Sequence, residues 1–348
     1  FIREVLTLVD IDLGAGIEAP DVETYQVIAA VVVVMIVLVP VLTVPIQLGP
    51  RDVQTRTVME TSQTGPGSGF LIWDESLDWV EDHTPREGTF GGADNEMTFY
   101  GQYQRPADSD FEYPDGAYGV QSWWDYGHWI TMRSERIPNA NPFQEGAAAA
   151  ANFLLAPNES AAREALLERG EEADDTRYVM IDYKMASTGA AANSKFFAPI
   201  QFYDASNVST SDFVSTRTIN GSTGVKQVLV RTENGLRGGF TERKQRYYES
   251  MMIRLYMYHG SRAEPRIQGL FGDQVVVFDY QEVTDRINDV TYKIVTPGQE
   301  GSPLKTFPNR TAAEEFVAED GSARIGGVGA FPREPVAALE HYRLVDTT

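Results

Sequence analysis

Apolar and polar positions along this chain fall into three regimes. From residue 27 to 39 every side chain is apolar, and the run continues through Pro40 and Thr43 to about Leu48 without a charge. Roughly twenty apolar residues match the length a helix needs to cross a bilayer, so residues 25–48 are expected to form a transmembrane helix, with its prolines tolerated near one end. The alternative is a buried strand, because Val31 to Val34 are all β-branched. A signal peptide fits less well: no basic region precedes the run and no small-residue cleavage site follows it. Residues 1–24, with apolar Ile2, Val5 and Leu6 ahead of a glycine turn, read as an acidic juxtamembrane segment. Residues 49–72 read as a linker, since the stretch TSQTGPGSG at 61–69 has the glycines of a turn but no Lys-Ser/Thr at phosphate-loop spacing.

The second regime has helical spacing. Leu77 and Val80 share one face of residues 74–82, flanked by Trp73 and Trp79 and ended by Pro85. The alanine-rich stretches 146–155 and 161–168 predict two more helices. Tyr248, Met251, Met252 and Leu255 recur at i, i+3, i+4, i+7, a helix closed by Gly260. A further helix is expected over 312–319. The third regime is strand-like: residues 130–136, 178–181, 225–232 and 269–280, with 289–295 as a partner for the last of these. Residues 88–119 read as a long Gly, Asp and Tyr-rich loop, 326–329 as a glycine turn and 337–345 as an apolar end. The expected fold is therefore a mixed α+β globular domain preceded by one transmembrane helix, divided into a central part (73–235) and a helix plus β-rich C-terminal part (236–348).

Composition narrows the function. Fifty acidic residues stand against twenty-nine basic ones, a formal charge of −21, and only six of the basic residues are lysine. Nucleic-acid binding needs a basic footprint and is not expected. A folded chain so rich in acids suits high salt, where screening shrinks its self-repulsion. Cysteine is absent, which removes disulfides and thiolate metal sites, and His83, His128, His259 and His341 are too scattered for a local metal centre. Glu112, Asp115 and Asp125 are acids in a chain full of acids, and no metal ligand is assigned. Arg51 and Arg56 after the apolar run would place the large domain in the cytoplasm by the positive-inside rule. Four Asn-x-Ser/Thr sequences, at Asn158, Asn207, Asn220 and Asn309, instead fit an exterior domain. The chain begins with Phe rather than Met, the expectation for a piece of a longer product.

The chemistry concentrates at Trp123-Trp124-Asp125-Tyr126-Gly127. Ionised Asp125 only accepts hydrogen bonds and the indoles only donate, so together they can hold a hydroxyl from both sides. The competing reading is that Trp123 and Trp129 anchor a helix which Asp125 caps. A second candidate is Asp182 with Met185, three apart and on one face if helical, against the reading of a capping Asp with Met in the core.

The pentapeptide WWDYG resembles the signature of the catalytic subunit of archaeal oligosaccharyltransferases, which move a glycan from a lipid carrier to asparagine in Asn-x-Ser/Thr. Asp182 and Met185 resemble that family's Asp-x-x-Met pattern, although Gly189 stands where a further Ile, Met or Lys is usual; Lys184 is one position early. The resemblance implies that Trp123, Trp124, Asp125, Tyr126, Gly127, Asp182 and Met185 bind the acceptor, with Asp125 taking the hydroxyl of the Ser/Thr two residues after the asparagine. It also implies that residues 25–48 are the last helix of a multi-span membrane domain, and that the globular part is exterior to the plasma membrane. The implied partners are an acceptor polypeptide and a lipid-linked oligosaccharide. A divalent Mn or Mg would be bound by membrane-domain loops outside this chain, leaving this segment inactive alone. Two other classes remain open: a membrane-anchored exterior protein that binds peptide or glycan without catalysis, and a glycoside hydrolase using two carboxylates.

Overall fold

The computed structural model describes residues 68–86, 116–167, 175–188, 194–204, 208–219, 222–232, 235–269, 272–285, 290–295 and 304–347. The apolar run at 25–48, the juxtamembrane segment and most of the 88–119 loop lie outside them. No helix among the described residues is long and apolar enough to cross a membrane. The chain divides into two compact units, Phe1–Leu71 and Ile72–Thr348, and the described residues belong almost wholly to the second.

Helix α1, Ser68–His83, starts within the stretch expected as linker. Trp73, Leu77 and Val80 are its buried residues, at helical spacing. Three short strands, β1 (Gly119–Gln121), β2 (Ile137–Pro138) and β3 (Thr176–Val179), form a parallel sheet in the order β2-β1-β3. Gly119 faces Ile137 on one side and Thr176 on the other. Parallel neighbours require crossovers. Helix α2 (Gly127–Ser134) makes the first, and α3 (Ala147–Leu155) with α4 (Glu159–Leu167) make the second. The chain therefore leaves central β1 toward one side and returns on the other, and the C-terminal ends of β1 and β3 open side by side. Ligands in such sheets sit outside strand carboxyl ends at a reversal of this kind.

Helix α2 corrects an expectation. Residues 130–136 read as a strand because Ile130 and Thr131 are β-branched, yet Tyr126, Ile130 and Ser134 are buried at i, i+4, i+8, the period of a helix face. On the same helix Arg133 pairs with Asp74 and Asp78, one turn apart on α1. Strand geometry begins only at Ile137.

After β3 comes a single helical turn, α5 (Tyr183–Ala186), and then α6 (Thr210–Phe213). Next are the hairpin β4 (Thr216–Ile219) and β5 (Ser222–Val225), and a second hairpin of β6 (Gln227–Thr232) and β7 (Gly235–Thr241). The expected methionine-lined helix is α8 (Met251–Tyr258), set off from α7 (Gln245–Glu249) by extended Ser250; His259 and Gly260 close it at φ 52° and 79°. The remaining elements are β8 (Arg266–Gly269), β9 (Gly272–Phe278), β10 (Gln281–Asp285), β11 (Val290–Val295), β12 (Leu304–Phe307), α9 (Arg310–Glu319) and β13 (Arg324–Ile325). Here a second expectation is corrected. β11 pairs with β10 and with β6, not with β9. The reason is occupancy, since β9 already pairs with β8, β12 and β13. The apolar end at 337–345 takes no regular structure: Leu339 is buried, while Leu344 and Val345 are exposed.

One large apolar cluster unites Trp73, Leu77, Val120, Trp123, Tyr126 and Ile130 with Phe153, Met185, Tyr247 and Met252. Both sequence motifs are rooted in it.

Candidate acceptor-binding site

Strand β1 delivers WWDYG. Trp123 leaves the strand in extended conformation, and Trp124–Tyr126 form one 3-10 turn that runs into α2 at Gly127. That turn sends successive side chains in different directions. Trp123 goes inward, 2% exposed, with its ring edge-on to Phe202 at 5.5 Å. Trp124 and Asp125 stay half-buried at the rim. Tyr126 turns inward again, stacked on Trp73 at 4.2 Å and beside Trp129 at 5.5 Å. Gly127 needs to be glycine for space: a Cβ there would meet the backbone oxygen of Ala140 and lie 2.8 Å from the Asn141 Cα.

Strand β3 delivers Asp182, and this carboxylate is the joint of the site. Its Oδ1 accepts from the Met185 N–H at 3.0 Å, capping α5. Its Oδ2 accepts from the Tyr126 hydroxyl at 2.7 Å and from Trp73 Nε1 at 3.1 Å. Burial and the neighbouring Asp182 charge push the Tyr126 phenol far above its usual range, so it remains a donor to that carboxylate. Met185 itself is 1% exposed and packs in the core. Capping and core packing, the plainer reading of Asp182 and Met185, are thus both present, and the same aspartate ties α1, the WWDYG turn and α5 together.

Asp125 has a different partner. Lys195 Nζ pairs with its Oδ2 and lies 4.1 Å from the centre of the Tyr126 ring. The Lys195 backbone N–H donates to the Lys184 carbonyl at 2.8 Å, so Lys184 contributes its main chain to the site rather than its charge. Burial raises the Asp125 carboxyl above the usual carboxylate value and Lys195 pulls it back, while the Asp182 charge adds to the rise. Two polar atoms at this rim are buried and have no hydrogen-bond partner: Trp124 Nε1, a donor, and Asp125 Oδ1, an acceptor. An unmet donor and an unmet acceptor on consecutive residues suit a group that does both, as a hydroxyl does. Among the described residues no set of three His, Asp or Glu could hold a metal ion.

The profile of the AglB core domain matches residues 71–186, from α1 through both motifs. The dolichyl-monophosphooligosaccharide–protein glycotransferase AglB of Haloferax volcanii is 48% identical over 349 aligned residues, which take in 100% of this chain. Over its whole length the chain is similar to archaeal AglB. It spans 31% of the length of that relative. Dolichyl-phosphooligosaccharide-protein glycotransferase 3 of Archaeoglobus fulgidus is 36% identical over 122 residues, 32% of this AglB-type chain and 13% of the relative. A crystal structure of an oligosaccharyltransferase from Archaeoglobus fulgidus, complexed with Zn and sulfate, aligns with 21% identity and a TM-score of 0.41, covering 68% of this chain and 28% of that one.

Two residues of the AglB-type site escape sequence reasoning. Trp73 lies 109 positions from the carboxylate it donates to, and no periodicity links them. Lys195 carried one available signal: it is one of only six lysines in the chain.

Proposed function

We propose that this AglB-type chain supplies acceptor recognition to an oligosaccharyltransferase that transfers an oligosaccharide from a dolichyl-phosphate-type carrier to asparagine in Asn-x-Ser/Thr, the reaction of protein N-glycosylation. The observation that carries this reading is the unpartnered pair at the rim, Trp124 Nε1 and Asp125 Oδ1. The Ser/Thr hydroxyl donates to Asp125 Oδ1 and accepts from Trp124 Nε1, while Lys195 holds the other carboxylate oxygen. Trp123 fixes the turn from below and Gly127 lets α2 start against the Ala140 backbone. Asp182 locks Tyr126 beneath the rim, and Met185 forms the apolar wall behind Asp182. A site built this way rejects an acceptor lacking the hydroxyl, because its polar atoms are again left unmet.

In this reading residues 25–48 close a multi-span membrane domain and the globular part faces the exterior of a plasma membrane, in the high salt its acid-rich composition suits. A divalent cation, Mn or Mg, held by loops outside this chain would polarise the acceptor amide and offset charge on the phosphate leaving group. The present segment alone is then inactive, and its part is to seat the acceptor.

Glycan transfer to an Asn-x-Thr peptide by the complete protein in high-salt membranes tests the reading, with Asp125→Asn as the variant. A hydrogen bond to a charged acceptor is worth about 1.5–3 kcal/mol, so peptide affinity should fall roughly 10- to 150-fold while lipid-linked donor binding is kept. Unchanged peptide affinity would return Asp125 to a structural role. Absence of transfer by the native protein would favour an anchored binding protein.

A further inference from the structure

Of the four Asn-x-Ser/Thr sequences, those of Asn158 and Asn309 lie among the described residues, and both asparagines stand at helix N-caps. Asn158 Oδ1 accepts from the Ala161 N–H at 2.9 Å ahead of α4, and Asn309 Oδ1 accepts from the Ala312 N–H at 2.9 Å ahead of α9. Both asparagines are exposed, and so are Ser160 and Thr311 two residues on. The cap uses only the oxygen. Asn, Asp and Ser cap about equally well, so what asparagine adds at each position is an amide nitrogen facing solvent.

We infer that Asn158 and Asn309 are themselves glycan attachment sites, modified on Nδ2 with their helix caps intact; the inference rests on the transferase reading above. In the transfer, the anomeric carbon of the lipid-linked glycan bonds to Nδ2 as its bond to the lipid phosphate oxygen breaks. Nδ2 gives up one proton, and the lipid phosphate leaves with the electron pair. Because the glycan goes on nitrogen, Oδ1 continues to accept from the third backbone N–H of the helix.

The same contacts set the order of events. Between Asn158 and Ser160, the Glu159 carboxylate accepts from the Glu340 N–H at 3.0 and 3.1 Å and from the His341 N–H at 2.9 Å, about 180 positions away. Between Asn309 and Thr311, Arg310 pairs with Glu314 at 2.7 Å and with Glu334. A sequence wound into a first helical turn and held in this way cannot lie across an acceptor site. Transfer therefore precedes the folding of α4 and α9 and the closure of the C-terminal segment over Glu159.

The experiment is mass spectrometry of peptides from the full-length protein purified from its own cells, with an Asn-x-Thr reporter peptide assayed in the same membranes. Both asparagines are expected to carry glycan. Asn158→Asp and Asn309→Asp should each remove one glycan mass, and since aspartate keeps the cap, the melting temperature of the unglycosylated protein should be unaltered. Bare Asn158 and Asn309 in membranes that do modify the reporter would overturn this inference and leave acceptor recognition standing. Bare sites together with an unmodified reporter would overturn both.

Discussion

Asp125 is held in opposite directions by burial and by Lys195, and that balance predicts a pH dependence. The charged and titratable groups around it are Lys195, Asp182 and the Tyr126 phenol. An acceptor hydroxyl donates to the ionised carboxylate, so binding weakens as pH falls through the folded-state pKa of Asp125. In Lys195→Met the lowering influence is gone and that pKa rises, so the acid limb of Asn-x-Thr peptide binding should move to higher pH. Stability follows with its own sign. A carboxyl raised above its unfolded value binds its proton more tightly when folded, so ionisation costs stability as pH climbs through the raised value, and Lys195→Met should deepen that loss. Peptide titrations from acid to neutral pH check this: an affinity lowered equally at every pH would mean that Lys195 only packs. The motif residues were legible from sequence because WWDYG and Asp-x-x-Met are contiguous. Lys195 and Trp73 were not, since a tertiary contact leaves no trace in local spacing.

Helix α1 carries Trp73 and the turn ahead of α2 carries Tyr126, the two side-chain donors that converge on Asp182, and a buried cation joins the C-terminal ends of α1 and α2. Arg136 is 3% exposed. Its Nη2 donates to the carbonyls of Glu81 and Thr84 at 3.1 and 2.9 Å, its Nη1 to Ser134 and Glu135 at 2.8 and 3.2 Å, and its Nε to the Tyr118 and Thr84 hydroxyls at 2.8 and 2.9 Å. The negative ends of two helix dipoles, rather than a carboxylate, balance its charge. Arg136→Met would strip several buried carbonyls of their partner at once, a loss of about 3 kcal/mol or more. All five tryptophans of this chain lie between 73 and 129, so a fluorescence melt reads this region directly. The variant should melt lower, and peptide affinity should fall because Trp73 and Trp124 ride on the displaced elements. A melt matching the native one would remove Arg136 from this role. Alanine-rich composition made α3 and α4 legible in advance, and apolar spacing made α1 and α8 so. Local pattern failed for α2, where β-branched Ile130 and Thr131 favour a strand until the tertiary partners of Ile130 and Ser134 are known. It failed also for β11, since which edge a strand joins depends on which edges are already taken.

The charge of the whole chain makes a prediction whose sign separates two effects of salt. At −21, self-repulsion among carboxylates opposes the folded state, and added salt should relieve it as the screening length falls from about 30 Å at 0.01 M to about 3 Å at 1 M. Ion pairs respond the other way. Arg133 with Asp74 and Asp78, Lys305 with Asp279, and Arg310 with Glu314 and Glu334 are partly or well exposed, and such pairs are worth about 0–1 kcal/mol each before salt screens them. The excess of twenty-one negative charges acts over the whole surface, whereas these few pairs lose only small local terms. Repulsion should therefore win. Melting followed by circular dichroism should show stability rising with salt, by several kcal/mol between dilute buffer and molar salt, on the order of ten degrees in melting temperature. A melting temperature that falls as salt is added would mean that the ion pairs hold the fold and that its acids are spaced widely enough to tolerate dilute buffer.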